Sequence, residues 1–385
     1  MTATPVALES RPDRVPDGTA AAALVAADLP GVRGIVDGAT PADVDRALGR
    51  SRRSLEDFAV LLSPAAAGRI EDLAAAAHEI TRARFGATVR LFSPLYVSNE
   101  CVSTCTYCGF SAGNEIARRT LTIPEVRAEA AELHRRGFRH ILLVSGEHAR
   151  IVSKDYVEAC VAAVADSFAQ VSIEVQVWDT DTYRRLAAAG CDGVVVYQET
   201  YDLSTYGSVH LKGKKRNYAW RLAAPDRAAE AGMRRLGIGA LLGLHPDWRS
   251  EALSLACHAQ ALIKRWWRCE VQVALPRLRP AAGGYQPADP VTDAALVQLL
   301  CALRIFLPDV GVSLSTREPA AFRDALVPLG VTVMSAGSHT EPGGYAEVSE
   351  AEPQFSISDT RSPAEVAAAL RAAGYDPVWK DWQRT

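Results

Sequence analysis

The period of apolar positions changes once along the chain. Between residues 17 and 84 they recur every three or four positions, in "PADVDRALGR", "SLEDFAVLLS" and "GRIEDLAAAAHEITRARFG". That spacing predicts short helices lying on a larger body. From about residue 88, apolar β-branched runs alternate with amphipathic stretches of 11 to 18 residues. The runs "VRLFSPLYVSN", "HILLVSGE", "SIEVQV", "GVVVYQET", "RLGIGALLGL", "EVQVALPRLRP", "GVSLSTRE" and "TVMSAGS" read as strands. Helical patterns separate them, and several close on a glycine, Gly137, Gly190 and Gly232 among them, which suits a helix C-terminus.

Eight strands alternating with helices predict an α/β fold, a parallel sheet closed into a (β/α)8 TIM-type barrel. Strand count alone leaves an open, doubly wound sheet as the alternative. The expected organisation is a polar lead and helical extension over 1–84, the barrel over 85–340, and a C-terminal segment over 341–385 that packs on it. Nearly every strand exits into polar residues: Ser98 and Asn99, Glu147 and His148, Gln198 and Glu199, His245, Arg277 and Arg279, Arg317 and Glu318, Ser338 and His339. In barrel enzymes the site lies at the C-terminal strand ends, so these groups are expected to converge on one mouth.

Composition narrows the function. A chain of 385 residues with 48% hydrophobic and 23% charged positions can bury a substantial core. A net charge of -3 gives no pull toward polyanions, which argues against a nucleic-acid partner. The N-terminus has no apolar signal region and no run of 18 apolar residues occurs, so the expectation is a cytoplasmic protein without a membrane span. Five of the eight cysteines, Cys160, Cys191, Cys257, Cys269 and Cys301, stand singly among apolar neighbours and read as small core residues.

The other three are packed into "CVSTCTYC" as Cys101, Cys105 and Cys108. Three thiolates at that spacing hold a metal or an iron–sulfur cluster. A structural zinc wants a fourth ligand, which His148 or His140 could supply only from another strand end. A 4Fe-4S cluster on three cysteines leaves one iron open to a small chelating molecule.

Here the chain is identified as a member of the radical S-adenosylmethionine (SAM) superfamily, from C-x3-C-x-aromatic-C in the loop after the first barrel strand. "SNECVSTCTYCGFS", "LLVSGEH", "VYQETY", "HLKGKK", "LPRLRP", "LSTRE", "PGGY" and "PVWKDW", collinear over residues 70 to 383, resemble the 2-iminoacetate synthases, the tyrosine lyases of thiamine biosynthesis. The resemblance implies a 4Fe-4S cluster, SAM, and L-tyrosine cleaved at Cα–Cβ to 2-iminoacetate and 4-cresol. It implies Cys101, Cys105 and Cys108 as cluster ligands, Tyr107 against the SAM adenine, and Gly146 and Glu147 at its methionyl end, with Glu147 on the ammonium. Arg221 would reach the SAM carboxylate, and Tyr96 would lie near the substrate amine.

For Arg317 and Ser315 the pattern adds its own argument. Alternation in "GVSLSTRE" puts Ser313, Ser315 and Arg317 on one face, and a guanidinium beside a hydroxyl forms a fork for the substrate carboxylate. The basic run His210 to Arg216 is expected either as a solvated loop or as a cover for bound ligand. Implied partners are thiazole synthase, which would take the labile imine, and an electron donor such as flavodoxin or ferredoxin. The tail, with Trp379 and Trp382, is expected either at that interface or packed on the barrel. The related hydrogenase-maturation lyase has a further C-terminal cysteine set, and no cysteine follows Cys301 here. A tryptophan lyase shares other pieces, and the sequence does not expose which side chain the pocket admits.

Overall fold

The computed structural model describes residues 14–287 and 289–380. Eight parallel strands form the barrel: β1 (Thr88–Ser98), β2 (His140–Ser145), β3 (Gln170–Glu174), β4 (Gly193–Glu199), β5 (Arg235–Ala240), β6 (Glu270–Ala274), β7 (Gly311–Leu314) and β8 (Val333–Ser335). They follow chain order, and β1 hydrogen-bonds to both β2 and β8. The sheet is therefore closed, and the open alternative is excluded. Each expected strand is found, though most end earlier than the apolar run because the polar exits are already loop. Gly137, Gly190 and Gly232 end their helices at φ of 104°, 109° and 96°, which side chains with a Cβ rarely adopt.

The period-2 pattern sets the barrel interior. Gln170, Ser172 and Glu174 of β3 point inward, while Val171 and Ile173 face the helices and are fully buried. At the floor, Glu270 bonds Arg90 and pairs with Arg235 at 3.3 Å. Above it lies a layer with Phe92, Leu142, Val195 and Val333. The mouth layer follows, with Tyr96, Glu174 and Tyr197.

The N-terminal helices between Ala20 and Phe85 share the barrel's core. Phe58 stacks on Phe306 at 5.0 Å, and the backbone N–H groups of Ala20 and Ala21 donate to the Asp226 carboxylate. Helix starts follow the sequence closely: Thr40 with Asp43 and Ser54 with Asp57 form reciprocal caps.

A ninth strand, β9 (Asp376–Val378), was absent from the sequence reading. It pairs with Thr88–Arg90 at the start of β1, so it belongs to the floor. Trp379 then packs on Phe138, with ring centres 5.3 Å apart, and over Gly137. Of the two expectations for the tail, Trp379 meets that of packing on the barrel, half-buried at the end opposite the mouth. Trp382 lies outside the described residues.

Candidate active site

The cysteine loop leaves β1 and is fixed by its own polar groups. Arg118 donates to the carbonyls of Asn99, Phe110 and Ser111 at 2.6, 2.8 and 2.7 Å, and the buried Asn99 side chain ties Ala117 and Arg119. The run 209–213 lies antiparallel beside the loop: Thr106 N–H donates to Val209 and Thr104 N–H to Lys212. The basic run is therefore part of the site's frame. Lys212, Lys214 and Arg216 are exposed, whereas Lys215 turns into the mouth and pairs with Glu199 at 2.6 Å.

The three thiols are free and apolar-lined, by Val209, Leu241 and Leu244 around Cys105 and by Phe110 and Ile116 near Cys101 and Cys108. Burial pushes Cys101 up to about 11 and raises Cys105 and Cys108 as well. Such thiols ionise when a cation binds them. N–H groups already point at sulfur: Ser103 and Glu147 at 3.4 and 3.5 Å from Cys101 Sγ, and Gln354 Nε2 at 3.8 Å from Cys108 Sγ. Soft thiolates in a dry pocket with N–H···S contacts fit an iron–sulfur cluster. Among the described residues no three His, Cys, Asp or Glu side chains are grouped as one metal ion would need.

Gly146 presses against this loop: a Cβ there would lie 2.4 Å from the Glu100 carbonyl oxygen and 3.1 Å from Cys101 Cβ. Glu147 and Arg221, expected at opposite ends of the SAM amino acid, are here bonded to each other at 3.0 Å and buried. Arg221 is held further by the Tyr197 carbonyl at 2.7 Å. The Tyr107 hydroxyl bonds His210 Nε2 at 2.8 Å. Because His210 Nδ1 faces the Tyr206 carbonyl at 2.9 Å, it carries the proton and Nε2 accepts from Tyr107. Burial, with Lys215 and Arg221 near, pushes His210 down to about 2 and keeps it neutral.

The substrate-side residues line a second space, a cavity of about 910 Å³ including its open part, walled by Phe92, Tyr96, Leu142, Val144, Leu314 and Arg317 among others. Strand β7 stops at Leu314, so Ser315 and Arg317 lie in a turn and not on the strand that alternation predicted. The turn still delivers both to the cavity, with Ser315 Oγ accepting the Arg317 N–H at 3.4 Å. Arg317 does not pair with Glu318, which is bound by Arg277 at 2.9 Å. Its guanidinium lies 3.4 Å over the Phe355 ring and makes one long bond, 3.5 Å, to the Arg277 carbonyl.

Phe355 belongs to a strap the sequence did not reveal. After β8 the chain crosses the mouth, stitched by Gln354 N–H to Thr340, Ser356 N–H to Pro280 and Ser358 N–H to Thr316. Gln354 accepts from the Tyr96 hydroxyl at 2.8 Å, and its backbone carbonyl takes the Gly109 N–H, where a Cβ on residue 109 would sit 2.5 Å away. Tyr96 is thereby turned toward the strap as well as the cavity. Glu199 lies at the mouth as its place at a strand exit predicts, with its ion pair to Lys215 not foreseen, whereas Glu174 and Arg118 were not expected as site residues. Inward alternation along β3 would have flagged Glu174, whereas the strap has no local signal. Glu199 sits at φ 72°, an uncommon strain in a non-glycine residue at a strand bulge.

Comparison with known proteins decides the family. Residues 95–256 match the radical SAM superfamily model and 274–376 the Biotin and Thiamin Synthesis associated domain. The 2-iminoacetate synthase of Escherichia coli is 46% identical over 355 residues, 92% of this chain and 94% of that protein. The chain belongs to the 2-iminoacetate synthase family. The Salmonella typhimurium 2-iminoacetate synthase is 45% identical over 90% of this chain and 92% of its own. The FeFe-hydrogenase maturase HydG from Carboxydothermus hydrogenoformans superposes with a TM-score of 0.82 at 33% identity, covering 89% of this chain and 79% of that one. As a 2-iminoacetate synthase family member the chain is a radical SAM lyase that uses a 4Fe-4S cluster and SAM. Among the described residues no helix is long and apolar enough to cross a membrane.

Proposed function

We propose that the chain cleaves the Cα–Cβ bond of L-tyrosine to 2-iminoacetate and 4-cresol, with SAM converted to methionine and 5′-deoxyadenosine, and that the imine supplies the thiazole moiety of thiamine. The observation that carries this is Arg317, a half-buried guanidinium with no carboxylate partner among the described residues, on a wall shared by the cavity beside Cys108 and the cavity beside Tyr96. When bound, the cluster and SAM supply a 5′-deoxyadenosyl radical. The chain's residues bind, orient and exclude water.

In this reading Cys101, Cys105 and Cys108 hold the cluster. Glu147 and Arg221 form a buried pair opposite in sign to the SAM zwitterion, Glu147 for its ammonium and Arg221 for its carboxylate. Gly146 keeps the backbone close, and Tyr107 lies toward the adenine. Arg317 and Ser315 take the tyrosine carboxylate, a bidentate geometry that a guanidinium provides. The ring then points down the wall of Phe92, Leu142, Val144 and Leu314, with Tyr96 near the amine. The strap keeps water from an imine that would otherwise hydrolyse.

We divide the chain into a polar lead and helical extension (1–84), the catalytic barrel (85–340) and a C-terminal segment that packs on the barrel (341–385). We assign the product to thiazole synthase, received at the mouth, and the electron to a donor such as flavodoxin or ferredoxin. The compartment is the cytoplasm, where thiols stay reduced. The test is anaerobic incubation of the cluster-loaded protein with SAM, a reductant and either tyrosine or tryptophan. 4-Cresol from tyrosine supports the reading; product from tryptophan and none from tyrosine overturns it.

A further inference from the structure

Glu147, Glu174, Glu199 and Glu318 stand at or near the ends of β2, β3, β4 and β7. Glu147 is bonded by Arg221, Glu199 by Lys215 and Glu318 by Arg277. The fourth, Glu174 at the end of β3, makes no side-chain hydrogen bond or ion pair among the described residues. Its side chain is directed inward by the alternation that also turns Gln170 and Ser172 into the barrel. It lines both the cavity beside Cys108 and the cavity beside Tyr96, as do Tyr197, Pro276, Arg317, Gln354 and Phe355. That shared wall is where a substrate's reacting atom must sit, between its own pocket and the cluster side.

Carboxylate and amine share one carbon in an α-amino acid. If Arg317 holds the carboxylate, the amine lies within a few ångströms of it, on the same wall. The product proposed above is an imine, so the amine nitrogen must give up hydrogen; taking a hydrogen atom from an ammonium N–H would leave a radical cation, whereas the neutral amine gives a neutral aminyl radical. A base is needed first. We propose that Glu174 is that base: its carboxylate accepts one proton from the substrate ammonium, leaving –NH2 and a neutral Glu174 carboxyl. No electron moves in this step. The proposal rests on the tyrosine lyase reading above and adds a catalytic residue to it.

The surroundings suit the task. Burial pushes the Glu174 carboxyl up to about 7, Glu199 on β4 adds to this, and Lys215, Arg317 and Arg221 pull it back. The tyrosines facing it are Tyr96 of β1 and Tyr197 of β4. A base poised near neutral is effective at neutral pH.

The test uses the cluster-loaded, SAM-bound protein and the variants Glu174→Gln and Glu174→Asp. Because Glu174 has no bonded partner to lose, Glu174→Gln should fold and keep the cluster chromophore. Its tyrosine-dependent 5′-deoxyadenosine formation should fall ~10²-fold or more at neutral pH. The acid limb of its pH profile should move up toward the free amino acid's ammonium, while Glu174→Asp retains part of the rate with the limb in place. Equilibrium binding gives a second readout. Glu174→Gln should weaken L-tyrosine about tenfold, as loss of the proton-sharing hydrogen bond to the substrate amine would, and leave 3-(4-hydroxyphenyl)propanoate, which has no amine, unchanged. An unmoved limb overturns the proposal. So does equal weakening of both ligands, or a loss confined to SAM affinity. Failure of the tyrosine reading is separable, because the unaltered protein would then make no 4-cresol.

Discussion

The two ends of the barrel are both rich in charge, and they differ in how that charge is satisfied. At the floor Arg90 and Arg235 share Glu270, with Gln272 donating to the same carboxylate at 2.9 Å. At the mouth Glu147, Glu199 and Glu318 are matched in the same way, but Arg317 rests on an aromatic ring and Glu174 has no hydrogen-bond or ion-pair partner among the described residues. A charged group drawn partly out of water and left without its partner costs stability, so it persists where it does something else. The comparison separates charges that hold the barrel together from charges that wait for a ligand.

The largest effect should come from removing the thiols. Cys101→Ala, Cys105→Ala and Cys108→Ala should each abolish SAM cleavage and lower bound iron, with the circular dichroism of the barrel unchanged. Retained 5′-deoxyadenosine formation in any of them would remove that cysteine from the ligand set. Next is Arg317→Lys, which keeps charge and loses the fork; tyrosine cleavage should fall ~10²-fold. Slow SAM cleavage without tyrosine should persist, and normal tyrosine turnover would contradict the assignment.

At the floor the expected effects are on stability. Trp379→Ala should cost about 1–3 kcal/mol by denaturant titration, at the low end for a tryptophan because the ring is half-buried. Cluster content and turnover should hold, and an unchanged midpoint would show that the ring contributes no packing. Truncation before Asp376 would remove β9 as well, so lost partner binding in such a variant would report a damaged floor.

The smallest effect concerns pH. Burial alone would raise the Glu270 carboxyl, but Arg90 and Arg235 hold it below its ordinary value. A folded value below the unfolded one stabilises the protein above the unfolded carboxylate range near 4.3. That contribution is lost as pH falls through the lower, folded value. Glu270→Gln should cost about 1 kcal/mol at neutral pH, since the carboxylate is part exposed, and should flatten the acid limb of stability. An acid limb identical to that of the unaltered protein would show that the pair adds nothing.

Much of this could be read along the chain, for reasons that are local. Strands β1 to β8 have apolar β-branched runs bounded by polar exits, and the cluster ligands sit within eight residues. The family strings named Arg317 and Ser315 although the turn after Leu314 broke the alternation argued for them. What escaped was assembled from distant segments. The strand at "DPV" is three residues with a proline and has no period of its own. Gln354 and Phe355 look like loop residues until the strap lays them across the mouth. Glu174 sat in a recognised strand, yet its importance lies in lacking a partner, which a sequence does not display.

The direct measurement compares one arginine from each end. L-Tyrosine affinity for the cluster-loaded, SAM-bound protein is measured by equilibrium dialysis with Arg317→Lys and with Arg90→Lys, both of which keep the charge. The account predicts at least tenfold weaker binding for Arg317→Lys, and for Arg90→Lys an affinity within twofold of the unaltered protein despite a lower melting temperature. Weakening by Arg90→Lys with Arg317→Lys unaffected would contradict it.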